Sequence, residues 1–300
     1  IQTKEMLVGN NPAGGYLIRP EVSARMIKRI FETSPLRLVA NVQPIGSDGL
    51  EVIIDDNESS SGGWVGETDV RTATNTPLIG KLTIEAHEQY AMPKATQKFL
   101  DDAGIDAEAW LAGKTTDILS RTENTSFISG NGVLKPRGIL TLDDATTWGT
   151  YERGKVQTML TSTNDAIVGD DMVKLQNGIK EAYQARAVWL MKRTTFGTVA
   201  TLKASTSGVY ILQSMMMKDR PMPLLLGKDI IFCDDMPAIA DDSLPVAYGD
   251  FNEGYTIVDR TGFRVIRDPY TAKPYVLFYV TKRTGGDVTS YESFARLRID

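Results

Sequence analysis

Two short segments with period-two alternation, separated by a long polar insert, constrain this chain more than any other feature. From residue 50 to 56, Leu50, Val52 and Ile54 fall on one side and Glu51 and Asp55 on the other. Downstream, Leu82, Ile84 and Ala86 alternate with Lys81, Thr83, Glu85 and His87. Side chains two apart share one face of a strand, so both segments are half-buried strands. The 23 residues between them, Glu58 to Gly80, are mostly small and polar and hold a single tryptophan, Trp64. That length exceeds a tight hairpin turn. A polar segment of this size gains too little burial from its own core to offset its ordering entropy. The pattern predicts a two-stranded arm that projects from the body and is ordered by a neighbour. Trp64 is its candidate anchor on a neighbour, with Glu67, Asp69, Arg71 and Lys81 as candidate contact residues; the alternative is a mobile tip with Trp64 packed back locally.

The rest of the chain interleaves helices and strands without regular βαβ spacing, which disfavours a doubly wound sheet. Residues 1–19 are polar and rich in Gly and Asn and read as an extended arm. Pro20 and Glu21 open a helix with Val22, Met26, Ile27 and Ile30 on one face, and Ser34-Pro35 ends it. A longer helix starts at an Asp106 cap, carries Trp110, Leu111, Ile118, Leu119 and Thr122 as its apolar stripe, and stops at Gly130-Asn131-Gly132. Asp170 or Asp171 caps another helix, with Met172, Leu175, Ile179 and Tyr183 at spacings of three and four. Ala187 to Met191 reads as a buried strand, and Thr194-Thr195 starts a short helix through Leu202. Two C-terminal strands are expected at about 275–283 and 290–299, split by Gly285-Gly286.

Catalytic and metal chemistry find little to use. With 33 Lys and Arg against 38 Asp and Glu, the net charge is −5, which argues against a protein that grips nucleic acid by neutralising phosphates. There is one cysteine, Cys233, and one histidine, His87, so a disulfide, a Cys/His pair or a histidine triad has almost no material. His87-Glu88 lacks the second histidine of a zinc-protease motif. Gly15 stands where a phosphate-binding loop needs its lysine, and Lys135 where a dinucleotide fingerprint needs its third glycine. The acidic pairs Asp55-Asp56, Asp101-Asp102, Asp170-Asp171, Asp234-Asp235 and Asp241-Asp242 lack the spacing of a calcium loop. No cofactor or metal is expected. No apolar run approaches the ~18 residues of a membrane span. Met215, Met216 and Met217 read either as core or as a soft contact surface.

The stretch from Leu224 to Tyr270 strings together a leucine-glycine turn, Ile230 to Phe232, Met236-Pro237, Val246 to Tyr248, Gly249-Asp250-Phe251, Tyr255 to Val258, Asp259-Arg260 and a Gly262 to Ile266 β segment. This order resembles the C-terminal half of the major capsid proteins of tailed double-stranded DNA phages, the Hong Kong 97-type fold. Gly132 to Leu140 and the Tyr183 to Lys203 segment resemble the same family. The resemblance implies an α+β subunit and no enzyme. It implies an N-terminal arm and helix over 1–33, an extended β-hairpin E-loop over 46–90, and a peripheral domain from 34–45, 91–155 and 259–300 with a long spine helix over about 106–129. An axial domain with a central mixed sheet flanked by helices would occupy 156–258.

It further implies self-assembly into hexamers and pentamers of an icosahedral shell around double-stranded DNA bound without sequence specificity. Portal, scaffold or maturation protease and a decoration protein would be partners, and no membrane. The subunit would assemble in the bacterial host cytoplasm and reside in the virion. Family members often lose an N-terminal scaffolding segment, and a start at Ile1 fits such processing. Encapsulin-type compartments and gene-transfer or defective prophage particles are the alternatives. Some members weld the shell by a Lys–Asn bond from the E-loop to a peripheral asparagine. Here no lysine lies between Arg29 and Gly80 and no asparagine follows Asn252, so that crosslink is not expected.

Overall fold

The computed structural model describes residues 34–57, 64–68, 70–71, 78–102, 107–202 and 224–300. The expected N-terminal arm and helix, the Asp106 cap, Asp69 and Met215 to Met217 lie outside them. The architecture is mixed α and β. In chain order the elements are α1 (Pro35–Val39), β1 (Asn41–Pro44), β2 (Gly49–Asn57), β3 (Leu78–Glu85), β4 (His87–Ala91), β5 (Lys94–Thr96), α2 (Gln97–Asp102) and α3 (Ala107–Ser129). Then follow β6 (Asp143–Asp144), β7 (Lys155–Leu160), α4 (Gly169–Asn177), α5 (Glu181–Gln184), β8 (Val188–Met191), α6 (Arg193–Ala200), β9 (Leu224–Leu225) and β10 (Lys228–Phe232). Last come β11 (Val246–Gly249), α7 (Phe251–Gly254), β12 (Tyr255–Asp268), β13 (Tyr275–Val288) and β14 (Phe294–Arg298).

Three sheets carry the fold. One runs β1-β12-β13-β4, with β5 also on β13; a second runs β6-β7-β14-β11-β8-β10-β9; the third is the β2–β3 pair alone. In the seven-stranded sheet, period two separates two cores. Leu190 and Ala247 face the cluster that holds Phe127, Ile128 and Ile139, while Trp189, Met191, Val246 and Tyr248 face Met172, Leu175 and Val199. Trp189 and Tyr248 stack at 4.3 Å between centroids, and the Trp189 indole donates to the Leu225 carbonyl at 2.9 Å. β14 pairs with β7 and β11 inside this sheet, so a strand from 259–300, expected to be peripheral, lies among strands of the 156–258 segment.

Several expectations need correction. Pro35 opens α1 in its first turn, while the helix expected before Ser34 lies outside the described residues. The stripe of α3 is Thr115, Leu119, Glu123, Asn124, Phe127 and Ile128; Ile118 and Thr122 are exposed. α4 stops at Gly178 and is capped by Val168, not by Asp170 or Asp171. Asp171 sits three residues inside, and its carboxylate accepts from the Val168 amide at 3.2 Å. Ile179 and Tyr183 therefore lie beyond α4, although both pack on the same core. β3 begins at Leu78 and ends at Glu85, and His87 opens a separate strand opposite Thr284. β12 runs unbroken through Asp259-Arg260, with register shifts there. Gly285 and Gly286 do not split the C-terminal strands: β13 passes through both. They are close-approach glycines. A Cβ on Gly285 would lie 2.0 Å from the Glu85 carbonyl oxygen, and one on Gly286 would lie 2.5 Å from the Tyr255 hydroxyl.

Candidate intersubunit surfaces

The β2–β3 ribbon has one face on the body and one in solvent. Leu50, Val52, Ile54, Leu82 and Ile84 point inward, as the alternation requires, and Ile84 is buried. On the outer face, Ile53 and Ile79 are exposed apolar residues beside Glu51, Asp55 and Lys81, and Leu78 is exposed at the start of β3. Lys81 pairs with Glu51 across the ribbon at 2.5 Å; both side chains are more than half exposed, so the pair adds little stability. Trp64 is fully exposed at 104%, with Val65, Glu67, Val70 and Arg71 exposed nearby. The side chains expected to make contacts therefore share the outer face and tip of one projection, except Asp69 and the three methionines, which lie outside the described residues.

The root of the ribbon is fixed by charge and by close backbone packing. Asp48 accepts from the Arg260 guanidinium and, at 2.5 Å, from Arg283, and its carbonyl accepts from the Ala86 amide at 2.9 Å. Arg153 donates to the Lys81 carbonyl at 2.8 Å. These contacts seat the base of the β2–β3 pair on the body.

Behind this root, Glu123 of α3 is almost wholly buried and accepts from both Arg37 and Lys282. Arg37 also binds Asp259 at 2.5 Å, and Thr284 donates to Asp259 at 2.8 Å. Burial works to raise the Asp259 carboxyl, but Arg37, Thr284 and Lys282 outweigh it and hold it below its ordinary value. Two acids and two bases thereby tie α1, α3, β12 and β13 together. The spacing of Glu123, four residues from both Leu119 and Phe127, places it on the buried stripe; reading only apolar residues missed it.

Three of the acidic pairs have structural partners. Asn124 donates to Asp235 and to Cys233 Sγ at 3.3 Å, and Thr125 donates to Asp235 at 2.8 Å. Burial pushes the Cys233 thiol up. Asp171 accepts from Ser162, and Asp242 pairs with Arg298 at 3.4 Å. Arg296 is buried in the centre of the seven-stranded sheet and donates to the carbonyls of Ile139 and Leu142 and to Asp144. Burial pushes its guanidinium down to about 10, against the pull of Asp144. Among the described residues no cluster of His, Cys, Asp or Glu has the arrangement of a metal site, and no helix is long and apolar enough to cross a membrane.

The model of the phage capsid family matches residues 14–299, and the chain belongs to that family. It is similar to the capsid of a native GTA particle, at 36% identity and a TM-score of 0.87, covering 95% of this chain and 96% of that one. The capsid of an empty GTA particle is similar at 35% identity and 0.88, covering 98% of each chain. Mycobacterium phage Bobi shares the fold at 12% identity and a TM-score of 0.69, covering 97% and 98%. No curated protein matches the sequence.

Proposed function

We propose that the chain is the major capsid subunit of a tailed-phage-type particle, a structural protein and not an enzyme, whose copies form the hexamers and pentamers of an icosahedral shell around double-stranded DNA. One observation carries this reading: 36% identity to a GTA capsid over nearly the full length of both chains, at a TM-score of 0.87. The same similarity favours a gene-transfer particle over a compartment that holds protein cargo.

In this reading α3 is the spine helix, and the β1-β12-β13-β4 sheet with α3 forms the peripheral domain. The seven-stranded sheet with α4 and α6 is the core of the axial domain, now including β14. The β2–β3 ribbon and its tip are the E-loop, which lies on a neighbour through Trp64, Glu67, Asp69, Arg71 and Lys81, with Met215 to Met217 as a second contact. Portal, scaffold or protease and a decoration protein would act during assembly and maturation in the host cytoplasm.

The test is negative-stain electron microscopy beside size-exclusion chromatography. Closed polyhedral shells are expected, and native particles should protect double-stranded DNA from nuclease. Shells with protein cargo and no DNA would point to a compartment. A monomer or dimer under all conditions, with any scaffold supplied, would refute the capsid reading. Since Lys81 is the only lysine in residues 46–90 and no asparagine follows Asn252, denatured shells should run as one band near 33.0 kDa. A covalent ladder would contradict this.

A further inference from the structure

The four-stranded sheet β1-β12-β13-β4 turns Lys282 towards Glu123 of α3 on one face. Cross-strand partners share a face. Register therefore places Ile266 beside Tyr279, Arg264 beside Thr281 and Tyr90, and Arg283 beside Glu88, all on the other side. That side is open: Tyr90 is 68% exposed and Ile266 40%, and the Tyr90 and Tyr279 rings lie 6.4 Å apart. A hollow of about 330 Å³ runs between Arg260, Arg264, Ile266, Tyr279 and Arg283. Asp48 takes Arg260 and Arg283 at one end of it. Even so, Arg283 Nε is shielded from solvent and has no acceptor among the described residues. Arg264 is exposed and has no ion-pair partner among them. Tyrosine and arginine around an apolar strip are the composition of a protein contact, and the unused guanidinium donors call for an acid.

The outer face of the β2–β3 ribbon has the same layout with the opposite charge. Ile53 and Ile79 are 76% and 77% exposed, and Asp55 stands opposite Ile79 and two residues from Ile53. Ile53 and Asp55 are thus an apolar and an acidic group about 7 Å apart along one strand, and Arg264 and Ile266 are a basic and an apolar group at the same separation. The remaining charges do not oppose this match. Lys81 is held by Glu51 within the ribbon, and Glu88 stands opposite Arg283, a row away from Arg264. The ribbon cannot lay this outer face on its own sheet, because its inner face lies on the body and Asp48 fixes its root.

We propose that the outer face of the ribbon of one copy lies on the open sheet face of a second copy, with Ile53 and Ile79 against Ile266 and Tyr279 and the Asp55 carboxylate on the Arg264 guanidinium. The proposal rests on the capsid reading and names the surface that receives the arm. The two surfaces are different patches of one chain, so the contact is head-to-tail, the kind that closes rings.

Asp55→Arg and Arg264→Asp each set like charges against each other in this contact. Both side chains are exposed, so the dilute single variants should unfold at the wild-type temperature, while the concentration needed for assembly rises about tenfold. Combined in one chain, the two changes restore the pair with its sign reversed, and the threshold should return to within about threefold of wild type. A double variant no better than the worse single one overturns the proposal. So does an Arg264→Asp subunit that assembles at the wild-type threshold and loses only its hold on duplex DNA, which would make the sheet face a phosphate site. A second test pairs Ile79→Cys with Ile266→Cys, the native Cys233 being buried. Gentle oxidation of assembled particles should give a ladder of linked subunits on a non-reducing gel. Shells of this variant with no ladder overturn the contact and leave the capsid reading standing; wild-type protein that closes no particle overturns the capsid reading itself.

Discussion

Glu123 shows what a single residue contributes when burial leaves it no water. Its carboxylate faces Arg37 and Lys282, and Lys282 is nearly as buried as Glu123 itself. Removing one partner of a buried pair strands the other, whereas replacing both by apolar groups of similar size can be nearly neutral. Glu123→Gln should cost about 3 kcal/mol in urea unfolding of the dilute subunit. Glu123→Met with Lys282→Met should recover most of that. If the double change costs more than the single one, the charges are needed for more than mutual neutralisation. Asp259 adds a pH dependence. Its folded pKa is depressed, so its stabilising contribution is present above the ordinary aspartate value, about 4, and fades as pH falls through the lower folded value. Asp259→Asn should flatten the acid limb of stability below about pH 4. An acid limb as steep as the wild type's would place the titration elsewhere.

At the scale of elements, close approach decides whether β13 can reach the root of the arm. A methyl on Gly285 would meet the Glu85 carbonyl oxygen and the Val258 side chain, and a backbone oxygen cannot step aside cheaply. Gly285→Ala should destabilise the subunit by about 3 kcal/mol and move the β2–β3 root, visible as faster amide exchange at Ala86, whose amide bonds to Asp48. Unchanged exchange would show that the ribbon is not seated on β13. The same glycines mark where sequence reading stops. In sequence, Gly285-Gly286 looks like a turn, because a glycine that permits positive φ and one that admits a neighbouring backbone are written alike. The arm was legible because period two needs only its own residues: Leu50, Val52 and Ile54 face inward as the alternation requires. The stripe of α3 was half legible, since Glu123 and Asn124 find their partners Lys282, Arg37 and Asp235 in distant parts of the chain. Of the candidate contact residues, Trp64, Glu67, Arg71 and Lys81 are exposed on the arm, but exposure alone could not be read from composition.

Across the whole molecule, charge is segregated in a way that the total conceals. Residues 46–90 hold nine carboxylates against Arg71 and Lys81, a net of −7. The chain as a whole carries −5, so everything outside the arm is net +2. Part of that positive charge is concentrated on the outer end of the β12–β13 hairpin, where Arg264 and Arg267 are exposed. An acidic projection on a slightly basic body attracts the body of another copy and repels another arm, which orients encounter before any apolar contact forms. Salt shortens the reach of such attraction from about 10 Å at 0.1 M to about 3 Å at 1 M. Apolar contacts strengthen or hold under the same change. Raising sodium chloride from about 0.05 to 0.5 M should therefore slow the approach to closed particles several-fold in light scattering, with the final extent of assembly falling less than the rate. Reversing two arm charges, Glu51→Lys and Asp55→Lys, should slow assembly at low salt and remove most of the salt dependence. A wild-type rate that is flat or rises with salt would mean that the apolar outer face, Ile53, Ile79 and Trp64, governs encounter, and that the segregated charge serves only to keep arms of free subunits apart.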